Sequence, residues 1–267
     1  MPLFHLILIA VIQGITEFLP ISSSGHLILL PGLTGLDDQG QFLDVSVHVG
    51  TLGAVVVYFW RDVRLGLRGL APLMLGRLEA PGARLALCLI VATIPAVLFG
   101  LFLKVTGLSD AMRSIAVIGW TMLVFGLVLW WADRRGATQL RTEDWSLRHA
   151  VILGLWQAVA LIPGTSRSGI TITGARFLGY AREDAARVSM LMSIPVILAS
   201  AVLLGADAAA QANMAAFRDG AIAAGFAFAS ALAALTLMMR LLQSVSFTPY
   251  VIYRVILGVI LLVIAYG

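Results

Sequence analysis

Charge is what this chain has least of: acidic and basic residues together fill only 12% of its 267 positions, while 60% are hydrophobic. With a mean hydropathy of +0.97, that scarcity excludes a soluble globular domain with an ordinary charged surface. Cysteine is nearly absent as well. The lone Cys88 lies in an apolar segment, so no disulfide framework is possible and nothing about redox follows. No basic n-region or small-residue cleavage site accompanies the first apolar segment, which is therefore expected to stay in the mature fold.

Long apolar runs are what the chain has instead. Runs of roughly 17 to 25 residues predict helices near 3–19, 42–60, 84–103, 113–131, 148–162, 186–204, 217–240 and 250–266, an all-α, polytopic membrane domain over 1–267. Two shorter pieces, 22–30 and 168–178, follow polar breaks. The first of these reaches only about 14 Å, about half the hydrocarbon thickness. Each break is therefore expected to be a re-entrant helix–turn–helix.

The two breaks resemble each other. At an offset of 144, Gln13, Ser22, Ser24 and Gly25 fall on Gln157, Ser166, Ser168 and Gly169; at 143, Pro20 falls on Pro163 and Val45-Ser46 on Val188-Ser189. Each half holds a re-entrant pair followed by three spans. Three is odd, so the second repeat, 148–267, is expected to be inverted relative to the first, 1–131. That symmetry brings the two breaks together near the bilayer midplane.

Orientation follows from arginine. Arg61, Arg64, Arg68, Arg77, Arg84, Arg134, Arg135, Arg141, Arg148, Arg182, Arg187 and Arg240 are expected on one face, against Lys104, Arg113 and Arg218 on the other. The arginine-rich side is then cytoplasmic, and both termini lie outside, in the periplasm if the cell has two membranes. This bias explains the pI near 9.7 without a nucleic-acid partner. Arg176, Arg182, Arg187 and Arg254 are expected to snorkel as anchors at helix ends.

Ionisable groups inside a membrane segment are costly, which makes those in the breaks candidate site residues. Glu17 lies four residues after Gln13 on one helix face; this oxygen pair suits a hard cation, Mg²⁺ or Ca²⁺, or a proton relay. His26 shares a face with Ser22 and Ser23, as nucleophile, general base or general acid. Arg167 has no acidic neighbour within its own break and suits bidentate contact with phosphate. Pro20 and Pro163 stop the incoming helices. Serine caps and free N–H groups then make each outgoing helix start an anion site. The candidate catalytic set is Glu17, His26, Ser23 and Arg167. The candidate phosphate-binding set is Ser22, Ser24, Gly25, Thr165, Ser166, Ser168 and Thr171. His48 reads as a packed or pore-lining residue.

Gln13-x-x-x-Glu17-Phe-Leu-Pro-Ile-Ser-Ser-Ser-Gly-His26 and Pro163-Gly-Thr-Ser-Arg-Ser-Gly-Ile-Thr171 resemble the two signature motifs of the bacterial undecaprenyl-diphosphate phosphatase, or bacitracin-resistance, family. The resemblance covers essentially the whole chain. It implies an inner-membrane enzyme that removes one phosphate from the lipid carrier of peptidoglycan precursors, a prenyl diphosphate, and implies a divalent cation and a homodimer. Members of this family often carry Glu where this chain has Gln13. His26 is the expected nucleophile, with Ser23 or a water activated by Glu17 as competitors, in a site opening to the periplasm. The alternative reading is a transporter or flippase of a phosphorylated lipid or small anion, since inverted repeats with broken helices also build transport sites.

Overall fold

The computed structural model describes residues 2–30, 40–108, 112, 114–211 and 213–267; Arg113 lies outside them. Its helices are α1 (Leu3–Phe18), α2 (Ser23–Leu27), α3 (Gln41–Tyr58), α4 (Trp60–Met74), α5 (Ala83–Thr106), α6 (Ile115–Arg135), α7 (Leu147–Val159), α8 (Arg167–Leu178), α9 (Arg182–Gln211), α10 (Met214–Leu241) and α11 (Thr248–Tyr266). Among the described residues, six helices are long and apolar enough to cross a membrane: α3, α5, α6, α9 within 182–203, α10 and α11. The chain is an all-α, multi-pass membrane protein.

The helices beside the breaks are shorter. With 16, 13 and 12 residues, α1, α7 and α8 extend only about 24, 20 and 18 Å at 1.5 Å per residue. The five residues of α2 make barely more than one turn. The outgoing piece expected over 22–30 is thus much shorter than its sequence suggested, because Leu29 N already turns to the His26 carbonyl, three residues back, at 3.2 Å. A single turn offers no developed dipole, so of the two helix starts expected to bind an anion only α8 is long enough to have one. Leu19 takes the extended conformation that a following proline imposes, and α1 stops there as expected.

One helix was not anticipated. Phe59 breaks the apolar run after α3, and α4 follows as an amphipathic segment with Arg61, Arg64 and Arg68 on it. Gly66 and Gly69 are its buried residues; a Cβ on Gly69 would lie 2.1 Å from the Gly82 carbonyl carbon, so the helix lies flat against the start of α5.

Small residues set the packing between spans, as they do where lipid removes the hydrophobic drive for helix association. The stripe Gly220, Ala223, Ala227 and Ala231 of α10 lies against α1 and α3. At Gly14 of α1 a Cβ would come within 2.7 Å of the Ala227 carbonyl oxygen. The other principal pairs are α5 with α7, α6 with α11, α3 with α9 and α8 with α6, α7 and α9.

Ion pairs gather where α3, α6 and α9 begin or end. Arg182 Nε lies 2.8 Å from Asp133 Oδ1, Arg187 Nε donates to Asp62 Oδ2 at 3.0 Å, and Arg141 Nη1 to Asp184 Oδ2 at 3.2 Å. Each of these arginines pairs with a carboxylate, and none of the four expected anchors simply snorkels. Arg176 is fully buried against Asp133 and the carbonyls of Ala137, Tyr180 and Gly136. Arg254 is buried without a carboxylate partner among the described residues. Desolvated guanidinium groups need their donors filled, and carbonyls freed at helix ends and breaks fill Nε and Nη2 of Arg254, while its buried Nη1 has no partner among the described residues.

Candidate active site

The first break is built from a helix that proline stops and a serine that turns the chain. Ser22 has φ 71°, a left-handed conformation that costs a non-glycine residue about 1–2 kcal/mol. Its Oγ lies 3.0 Å from Ser24 Oγ. Ser166 occupies the same place in the second break, with φ 70° and its Oγ 3.2 Å from Ser168 Oγ. Ser166 also accepts from Gly169 N at 3.1 Å, the expected cap of α8. Ser22 makes no such cap bond.

The breaks interlock. Gly164 N donates to Ser24 Oγ at 3.1 Å, and Ser168 Oγ donates to the Leu19 carbonyl at 3.0 Å, so each serine pair reaches into the opposite turn. Thr121 of α6 holds the Pro163 carbonyl at 2.6 Å. From α11, Arg254 Nη2 donates to the carbonyls of Gly164 and Thr165 at 3.2 and 2.9 Å, while its Nε reaches Met122. Thr171 is spent on structure: its Oγ1 donates to the Arg167 carbonyl and lies 2.6 Å from Ser189 Oγ.

Between the breaks lies a polar cavity of about 180 Å³, lined by Glu17, Ser22, Ser23, Ser24, His48, Ala160, Gly164, Ser166 and Arg167. Arg167 Nη2 donates to Glu17 Oε1 at 3.0 Å, joining residues 150 positions apart. Glu17 Oε2 accepts from Gln13 Nε2 at 2.9 Å and from Ser23 Oγ at 3.2 Å. Arg167 is further fixed by the Ser189 carbonyl and by the Phe18 ring, 5.7 Å below its guanidinium carbon. Glu17, Ser23 and Arg167 thus meet as the spacing predicted.

His26 does not join them on the cavity wall. Its Nδ1–H donates to the Ser22 carbonyl at 2.7 Å, which leaves the Nε2 lone pair of the neutral ring facing Tyr253 Oη at 2.6 Å; the two rings stack at 6°. The imidazole on the wall is His48, whose Nε2 lies 3.1 Å from Gln13 Nε2 and 3.8 Å from Glu17 Oε2. His48, expected only as a packed or pore-lining residue, thus lines the cavity; it is the one histidine of α3 and follows Asp44 at the spacing by which Glu17 follows Gln13. Tyr253 and Arg254 were missed. No local motif marks them, because only packing of α11 on α6 brings them to the breaks.

The donors present fit a divalent cation when substrate supplies the rest. Glu17 is the carboxylate of the cavity, and Gln13 Oε1 is buried without a hydrogen-bond partner. One carboxylate, one amide oxygen, phosphate oxygens and water make a shell that Mg²⁺ or Ca²⁺ accepts. Among the described residues, no three His, Cys, Asp or Glu side chains gather to hold a metal ion, here or elsewhere, so any cation here would depend on the amide oxygen and on substrate.

Known proteins resemble this chain along its whole length. It is 75% identical to the undecaprenyl-diphosphatase of Ruegeria pomeroyi over 267 residues and 71% identical to that of Jannaschia sp., with all of both chains covered in each case. Identity to undecaprenyl-diphosphatase 1 of Rhodospirillum rubrum is 46%, across all of this chain and 96% of that one. Residues 6–260 match the family described as Bacitracin resistance protein BacA, and the chain belongs to that family.

Proposed function

We propose that this protein hydrolyses undecaprenyl diphosphate to undecaprenyl phosphate and inorganic phosphate, returning the lipid carrier to peptidoglycan synthesis. The observation that carries the proposal is the 3.0 Å contact between Glu17 and Arg167 inside a cavity walled by serines of both breaks. Full-length relatives named undecaprenyl-diphosphatase support the substrate. A small polar cavity takes the terminal phosphoryl group, and the prenyl tail runs sideways into lipid.

Two inverted repeats, 1–131 and 148–267, account for the way the site is assembled. In their support, α1 packs on α10 as α7 packs on α5, while α3 meets α9 and α6 meets α11, the pairing expected of halves exchanged by a two-fold axis. The short α1–α2 and α7–α8 pairs are the re-entrant elements. With the arginine-rich side cytoplasmic, both termini and the mouth of the site face the periplasmic side of the inner membrane.

The serines and Arg167 bind the phosphoryl oxygens, and phosphate competes with Glu17 for the guanidinium, which leaves the carboxylate free to act as base. Ser23 Oγ–H already points at Glu17 Oε2, so Ser23 displaces His26 as the preferred nucleophile. Ser23 gives its proton to Glu17, its oxygen bonds to the terminal phosphorus, and the bond to the bridging oxygen breaks. Undecaprenyl phosphate departs with that electron pair. Water then adds to the phosphoserine phosphorus, Glu17 returns its proton to Ser23 Oγ, inorganic phosphate leaves, and the second proton of the water passes to solvent. Arg167 stabilises the charge that builds on the phosphoryl oxygens. A divalent cation would be held by Glu17 and Gln13 and would supply further charge neutralisation. His26 acts at one remove, by fixing the Ser22 carbonyl.

The test is phosphate release by purified protein from undecaprenyl diphosphate labelled in the terminal phosphate. With parallel quenches in acid, which preserves phosphoserine, and in alkali, which preserves phosphohistidine, label is expected on Ser23 in acid and absent from Ser23→Ala. Label on His26 would move the nucleophile there; a purified protein that binds the lipid and releases no phosphate would favour the transport reading.

A further inference from the structure

Three polar atoms, two on the cavity wall and one from the buried Gln13 behind it, stand at the corners of a small triangle. Gln13 Nε2 lies 2.9 Å from Glu17 Oε2 and 3.1 Å from His48 Nε2, and the third edge, Glu17 Oε2 to His48 Nε2, is 3.8 Å. A half-turn of the Gln13 amide exchanges its nitrogen for Oε1, the buried oxygen that has no partner. Three lone pairs would then converge where now an N–H group bridges two acceptors, an arrangement that a cation between them stabilises. Neighbouring ligands of an octahedral ion with bonds of about 2.1 Å stand about 3 Å apart, close to two of these edges.

His48 is prepared for that role. Its Nδ1–H donates to the Asp44 carbonyl at 2.7 Å, which fixes the tautomer and leaves Nε2 bare toward Gln13 and Glu17. A carbonyl accepting from the far nitrogen is the usual support of a metal-binding imidazole. The side chain is 38% exposed, so a hydrated ion can reach it, whereas Glu17 is 10% exposed.

We infer that His48 is the third protein ligand of the cation site, beside Glu17 and Gln13, and that its nitrogen tilts the site from Ca²⁺ toward Mn²⁺ and later transition ions. The inference rests on the reading of this cavity as the reaction site. Ca²⁺ takes shells of oxygen, whereas imidazole raises affinity for transition ions. His48→Gln replaces nitrogen by an oxygen donor of similar reach and should reverse the preference.

Full-length protein in detergent, loaded with Mn²⁺ alone, is the material for the test. Pulsed electron paramagnetic resonance should show ¹⁴N coupling to the bound ion in the parent protein and in His26→Gln, and none in His48→Gln. Mn²⁺ affinity should fall at least about tenfold in His48→Gln, with a smaller change for Ca²⁺. Absence of ¹⁴N coupling in the parent protein, or its persistence in His48→Gln, overturns the inference, even if folding and phosphate release from undecaprenyl diphosphate are intact. If the parent protein releases no phosphate yet shows the coupling, the proposed hydrolysis fails and the ligand assignment stands.

Discussion

Ser22 and Ser166 adopt nearly the same backbone conformation, φ 71°, ψ 104° and φ 70°, ψ 112°, and among the described residues they are the two non-glycine positions with positive φ. Each stands immediately after a proline-stopped segment and before a helix. In each, Oγ lies within 3.2 Å of the serine two residues on. Strain of this kind persists only when surroundings hold it, and here the opposite break does the holding, through Ser24 with Gly164 and Ser168 with Leu19.

Glycine accepts this conformation without a Cβ penalty. Ser22→Gly should therefore be at least about 1 kcal/mol more stable than Ser22→Ala, since both lose the hydroxyl and only alanine keeps the strain. Thermal unfolding in detergent measures the difference. Equal stability of the two variants would show that the turn relaxes without cost.

Arg167→Lys keeps the charge and loses the planar fork that can grip phosphate at two points while the Ser189 carbonyl holds the other side. A fall of about 10²-fold in kcat is expected, the size seen when one donor to a developing oxyanion is removed. Glu17→Gln leaves the guanidinium buried with no carboxylate and removes the base, so its loss should be larger and accompanied by lower thermal stability. Steady-state phosphate release with both variants, alongside melting curves, separates the two effects.

Arg254 donates to four backbone carbonyls, of Met122, Thr121, Gly164 and Thr165, and has no acidic partner among the described residues. Lysine reaches fewer of them, so Arg254→Lys should cost about 2 kcal/mol of stability. Because two of these carbonyls belong to the second break, kcat should fall with little change in KM, as expected when positioning and not binding is damaged. A KM effect alone would place Arg254 on the substrate.

Composition and local spacing carried much of this protein. Apolar runs located the spans because lipid admits only backbone that bonds to itself. The prolines and serines announced the breaks because their constraints act within one or two residues. Glu17, Ser23 and Arg167 could be nominated because a charge in such a segment has to be satisfied. The amphipathic α4 escaped, since its arginines and leucines average to no hydropathy signal and its placement depends on Gly69 lying against Gly82.

Which imidazole lines the cavity was decided by tertiary structure alone. His26 sits inside the motif, yet Tyr253, far along the chain on α11, draws its Nε2 away, while His48 from α3 arrives beside Gln13 and Glu17. Arg254 is a like case: it is a helix-end arginine by sequence and a clamp on the second break by packing. Spacing along one helix fixes which side chains share its face, but the partners of that face come from segments whose separation along the chain bears no relation to distance. Sequence therefore named the groups that need partners, and the fold chose the partners.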